Sequence, residues 1–318
     1  MKSYYRLGIL FVLLVLLTGC GTQPTGEEGS KSGFIGGTSG LVMNWIIPEE
    51  GYVLYDQGNN EIFVSLRVEN LGEYDIPPNS AVVSLSGFSY RDFGIMESDL
   101  RKVIDTGLSG KDKIDNQVVS GDIADVSFGP LKYVPSINTR LNMPIYADIC
   151  YPYETNAESV ICIAENPTDT RVCNPNGARP VYSSGAPVQI SSVTQKALGD
   201  NRYSLSIEIK HVGNGGIYKL GEDCDSSSFS SKGVVRVTVG DPVNWGWDSV
   251  NIECNGVPAG QSFATRIISG GLVSVRCNIE VADSAAGDYV KVLPITVEYD
   301  YSDTTSTQLE VRSSSGFD

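Results

Sequence analysis

A single histidine, His211, serves the whole 318-residue chain, and neither a Cys-x-x-Cys pair nor a Gly-x-Ser-x-Gly elbow occurs. These absences leave no zinc site built on histidine, no thioredoxin-like redox pair and no serine-hydrolase nucleophile. Positive charge is also short, with 23 Lys and Arg against 38 Asp and Glu, a net charge of −15. A surface of that sign repels nucleic acid and anionic headgroups, so no nucleic-acid partner is expected. No segment keeps a helical period over three turns, and only one long apolar run exists.

That run, Leu7 to Leu17, follows Lys2 and Arg6 and leads into Leu17-Thr18-Gly19-Cys20. Eleven apolar residues fall short of a membrane span, and small residues ending in cysteine read as a lipoprotein signal. Residues 1–19 are then the signal peptide and Cys20 the lipid-attachment site. Residues 20–38, rich in Gly, Ser, Thr and Glu, are the expected flexible tether. Removing Lys2 and Arg6 takes the net charge from −15 to −17. Export makes disulfides the default for Cys150, Cys162, Cys173, Cys224, Cys254 and Cys277. Six cysteines allow 15 connectivities, and sequence does not choose among them. Spacing favours a loop clipped by Cys162 and Cys173 and two strands stapled by Cys254 and Cys277. Cys150 and Cys224 are left for a bridge between domains.

The remainder reads as all-β. Glu61 to Val68, Ala81 to Ser86, Tyr203 to Ile209, Gly233 to Val239 and Leu293 to Tyr301 alternate apolar and polar residues. Asp99 to Thr106 is the one stretch that suggests a helical turn. Internal similarity sets the layout. Ile62 to Gly72 aligns without gaps on Tyr203 to Gly213, and Pro144 to Tyr151 aligns on Pro294 to Tyr301. The expected organisation is two tandem immunoglobulin-like antiparallel β-sandwiches, residues 39–183 and 184–313, with a polar tail at 314–318.

The repeated strand ends in Asn70-Leu71-Gly72 and His211-Val212-Gly213, which resembles the CARDB-like and related immunoglobulin-like domains of prokaryotic envelope proteins. Phe34 to Leu41 and the Cys-Tyr-x-Tyr-x-Thr segment at Cys150 to Thr155 look like those of archaeal surface proteins with a similar tandem plan. The resemblance implies a surface-exposed accessory or adhesion-like role and brings no active site with it. His211 departs from its pattern, where asparagine is usual.

Other chemistry is sparse. His211 stands at a strand end matched by Asn70, which favours a structural role. Glu222-Asp223-Cys224-Asp225 and the group Asp112, Asp115, Asp122 and Asp125 lack the order of a calcium loop and read as solvated turns. Trp245 and Trp247 share a side of an extended segment and could stack on a sugar, although core packing is the favoured account of them. Tyr151, Tyr153, Tyr299 and Tyr301 read as cross-strand pairs. The chain is expected to be no enzyme and to use no metal or cofactor. Its expected role is that of a membrane-anchored envelope protein meeting another envelope protein or a glycan. The alternative is an extracellular carbohydrate-binding module or accessory of a secreted enzyme.

Overall fold

The computed structural model describes residues 33–315 apart from 167, 169–170, 200, 225–226, 241–249, 269–270 and 283–286. The strands of the first half are Leu41–Trp45 (β1), Tyr52–Tyr55 (β2), Ile62–Asn70 (β3), Ala81–Ser86 (β4), Arg101–Ile104 (β5), Asp112–Ile114 (β6), Gln117–Val119 (β7), Ile123–Leu131 (β8) and Leu141–Ile163 (β9). Those of the second are Gly177–Arg179 (β10), Val181–Ser183 (β11), Val188–Gly199 (β12), Arg202–His211 (β13), Gly216–Tyr218 (β14), Val234–Val239 (β15), Val250–Cys254 (β16), Val257–Pro258 (β17), Ser262–Arg266 (β18), Leu272–Val281 (β19) and Tyr289–Arg312 (β20). The fold is all-β, as the alternation predicts. The helical turn expected over 99–106 is a 3₁₀ turn at Glu97–Leu100 only. Its continuation is β5, whose Val103 and Lys102 sit in register with Val82 and Val83 of β4.

Two strands organise the molecule. β9 is 23 residues long and β20 is 24, and they pair antiparallel from Leu141↔Val311 to Ile163↔Tyr289 without a break in register. They form the spine of a nine-stranded sheet ordered β18-β15-β20-β9-β4-β5, joined off that path by β2, β11 and β14. Odd-numbered residues of β9 from Ile145 to Ile163 point inward as a row that is apolar except at Thr155 and Ser159. Each fully buried Val, Ile or Leu of such a row contributes about 1.5–3 kcal/mol.

Two smaller sheets cover this face. The three-stranded sheet β1-β3-β8 shares a core with the early part of β9 and with β4, through Leu66, Val68, Phe128, Val83 and Ile149. The six-stranded sheet β10-β12-β13-β19-β16-β17 covers the later part of β9 and the early part of β20. There Tyr203 of β13 donates its hydroxyl to the Ala164 carbonyl at 2.8 Å, and Gln195 of β12 accepts from the Cys162 amide at 2.9 Å. The end of β9 therefore lies under strands of the second half. Reciprocally, β20 runs on past Tyr301 to pair in parallel with β2, Tyr52↔Leu309 to Tyr55↔Arg312. Each half lends the end of its last strand to the other, and the described residues belong to one compact unit.

The crossing point is marked by tyrosine. Tyr151↔Tyr301 and Tyr153↔Tyr299 are register pairs, their rings 5.9 and 6.0 Å apart. Each buried hydroxyl finds partners. Tyr151 accepts from the Leu41 amide at 3.0 Å, and Tyr299 accepts from the Val188 amide at 3.2 Å, so one tyrosine holds the first residue of β1 and the other the first of β12. Tyr153 donates to the Gly185 carbonyl at 2.7 Å and accepts from the Glu73 amide, while Tyr301 accepts from the Gly215 amide at 2.7 Å. These last two hydroxyls press on the α-carbons of Gly72 and Gly213, where any Cβ would overlap them. That contact is the physical reason for the glycine in both Asn70-Leu71-Gly72 and His211-Val212-Gly213.

Candidate functional site

A cavity of about 780 Å³ lies on the outer face of the large sheet beside the tyrosine crossing. Even-numbered side chains of β9 and β20 form its floor, because alternation sends them away from the core. Register places Thr304, Asp148, Ser84 and Arg101 in one row across β20, β9, β4 and β5. The neighbouring row is Ser302, Cys150, Val82 and Val103. One row is polar and the other mixed.

A loop closes one end. Cys224 is bonded to Cys150, with Cα atoms 5.9 Å apart, and this holds Leu220 and Gly221 against the floor. Asp300, 5% exposed, stands beneath that loop. Its Oδ2 accepts from the amides of Gly221 at 2.8 Å and Glu222 at 3.1 Å. Burial pushes the Asp300 carboxyl above the usual carboxylate range, and those two amides oppose the shift. Asp148 is more open. It accepts from the Thr304 hydroxyl at 2.6 Å and from Ser86 at 3.3 Å. The groove thus presents hydroxyls oriented by a carboxylate, one guanidinium at its far end, and a short apolar strip. Such a surface offers hydrogen-bonding groups and charge.

Two other bridges lie away from the groove. Cys162–Cys173 closes an 11-residue separation at the end of β9, and Cys254–Cys277 joins register partners of β16 and β19. All four of these cysteines are buried, whereas Cys150 and Cys224 are half-buried at the groove.

His211 is not part of the groove. It lies at the end of β13, its Nε2 3.1 Å from the Tyr301 hydroxyl, on the inner side of the sheet. Burial holds its pKa below the usual histidine value. The sequence-matched Asn70 is fully buried, donates to the Tyr74 and Leu108 carbonyls at 2.8 and 3.0 Å, and accepts from the Gly72 amide. The acidic groups are dispersed. Asp125 pairs with Arg67 at 3.0 Å, Asp122 accepts from the Ser109 amide, and Asp112 and Asp115 belong to the exposed β6–β7 hairpin. Glu222 pairs with Lys219 at 2.8 Å. No cluster of three metal-ligating side chains exists among the described residues. Cys20, Trp245, Trp247 and Asp225 lie outside the described residues.

A second buried carboxylate, Asp56, accepts from the amides of Ile137 at 2.9 Å and Ser314 at 2.6 Å. The Ser314 bonds, then that of Ile137, lower its pKa to about 2. Glu73 does similar work at the other end. It accepts from the amides of Ile35 at 2.7 Å, Gly36 at 2.8 Å and Gly185, so residues 35 and 36 are held to the joint between the halves.

No protein-family model matches the chain, and no curated protein does. Among solved structures, the secreted serine protease VesC from Vibrio cholerae is 10% identical over 82% of this chain and 50% of its own, with a TM-score of 0.18. The chain spans about half the length of that protease. The CupB6 tip adhesin from Pseudomonas aeruginosa is 9% identical, over 86% of this chain and 98% of its own, with a TM-score of 0.15. Likenesses this distant carry no argument about fold or chemistry.

Proposed function

We propose that this is a lipid-anchored cell-envelope protein, attached through Cys20, whose two immunoglobulin-like halves serve a structural or interaction role rather than catalysis. The observation that carries the reading is the set of three disulfides in a body preceded by Leu17-Thr18-Gly19-Cys20. Disulfides of this number suit an oxidising compartment outside the cytoplasm, and the signal suits lipid attachment on that side. The interaction role draws on the groove, which offers hydroxyls, a guanidinium and carboxylates and has no histidine within it. Another envelope protein is the favoured partner.

The test is fractionation of cells expressing wild type and Cys20→Ser, followed by crosslinking on intact cells to capture the partner. Wild type is expected in the membrane fraction and Cys20→Ser in the soluble one. A Cys20→Ser protein that stays tightly in the membrane fraction overturns the lipid anchor.

A further inference from the structure

On the side of β20 away from β9, three strands share one lane: β15 beside 295–298, β14 beside 300–302 and β2 beside 309–312. Between the last two, residues 303–308 pair with β9 on one side and, among the described residues, with no strand on the other. The direction of the main chain there follows from its neighbours. The Gly240 amide donates to the Pro294 carbonyl at 2.8 Å and the Asp56 amide to the Arg312 carbonyl at 3.0 Å. Even-numbered residues of β20 therefore aim their N–H and C=O away from β9. Thr304, Ser306 and Gln308, all exposed, aim theirs into the open lane. The Thr304 amide is taken by the Asp303 carboxylate at 2.9 Å, and the parallel ladder that starts at Tyr52↔Leu309 takes the Gln308 carbonyl, which leaves the amides of Ser306 and Gln308 and the carbonyls of Thr304 and Ser306.

Proteins usually blunt such an edge with lysine, proline or a bulge. Residues 303–308, Asp-Thr-Thr-Ser-Thr-Gln, carry none of these, and their register with β9 is unbroken. Threonine also favours the extended conformation. We propose that this lane is a docking site for an extended segment of another polypeptide, about six residues long, which adds as a strand between β14 and β2.

A second copy of this chain is a poor occupant. The lane is a recess of about 20 Å, closed at each end by strands in its own plane, and two such recesses cannot bring their floors together. A tail or loop of a different protein can enter. Where it passes β14 it comes beside Ser302 and Thr304 of the groove, whose three carboxylates outnumber its one guanidinium. A lysine or arginine at that end of the segment is favoured.

This inference rests on reading the body as an interaction module, and its test is independent of the lipid anchor. A random hexapeptide library displayed on phage is selected against the full chain in detergent micelles, and hydrogen exchange is followed at single amides. In the free chain the Ser306 and Gln308 amides should exchange fast. Selected peptides should slow both by about tenfold or more. Ser306→Pro removes only an outward amide, as Pro294 already does, and should abolish peptide binding, while Ser306→Ala keeps it within about twofold. Protected amides at 295–298 in Ser306→Pro separate lost binding from lost folding, and Gln308→Pro repeats the test one position on. Slow exchange in the free chain, no enriched peptides, or peptides that bind Ser306→Pro as tightly as wild type would each overturn the lane. Peptide capture by a chain whose Cys20→Ser form stays on the membrane overturns only the anchor.

Discussion

The turn after β3 and the turn after β13 occupy matched places in the sequence and are built with different chemistry. In the first, Asn70 is fully buried and satisfies three main-chain groups, with Tyr153 closing the turn through the Glu73 amide. In the second, His211 is half-buried and its imidazole meets the Tyr301 hydroxyl. Both keep a glycine beneath the tyrosine oxygen. The first turn is fixed by neutral hydrogen bonds that no physiological pH alters, while the second contains the only side chain of its kind able to titrate near neutrality. Matched position therefore does not mean matched response.

The largest test of how the halves differ removes their covalent links. Loop-closure entropy assigns about 4 kcal/mol to Cys150–Cys224, which spans 74 residues and joins the halves, and about 3 kcal/mol to Cys162–Cys173, which spans 11. Double serine variants of each pair, compared by urea unfolding, should rank in that order. A larger loss for Cys162–Cys173 would mean that residual structure already draws the ends of the long loop together in the unfolded chain.

A smaller effect separates the turns directly. Asn70→Ala leaves two carbonyls and one amide without their partner and should cost about 3 kcal/mol, against about 1 kcal/mol for His211→Ala. Equal losses in the same unfolding measurement would erase the distinction between them.

The smallest effect is in pH. Burial lowers the folded-state pKa of His211 below its ordinary value of 6.5, so the unfolded chain takes up the proton first. Stability should therefore fall as pH drops below about 6.5 and level off beneath the folded-state pKa. Asp300 acts with opposite sign, since its raised pKa favours the protonated fold. Comparing the Tm of wild type with that of His211→Asn, which copies the residue at position 70, isolates the histidine. Parallel Tm curves for the two proteins would remove His211 from the account.

Much of the strand pattern is legible in the sequence because alternation is local. Val64 to Val68 and Val235 to Val239 alternate apolar and polar residues throughout, and the glycine at 72 and 213 recurs with β3 and β13. The length of β20 is not legible past Tyr301. Asp303-Thr304-Thr305-Ser306-Thr307-Gln308 looks like a solvated stretch, and it becomes strand only because β9 supplies a partner 160 residues away in the chain at Ser306↔Tyr146 and its neighbours. The groove was hidden for the same reason. Ser84, Arg101, Asp148 and Thr304 share no local motif, and only the register of four strands aligns them. The Asn70 and His211 contrast was visible as a departure, although not its tyrosine partner.

The exchange of strand ends has a consequence for the order of synthesis. A ribosome releases this chain from its N-terminus, yet Tyr52 waits for Leu309 and Asp56 for Ser314, 258 residues later. The edge of the first half stays open until nearly the whole chain has emerged. A protein assembled this way carries an unpaired strand edge through most of its synthesis and closes only when β20 arrives.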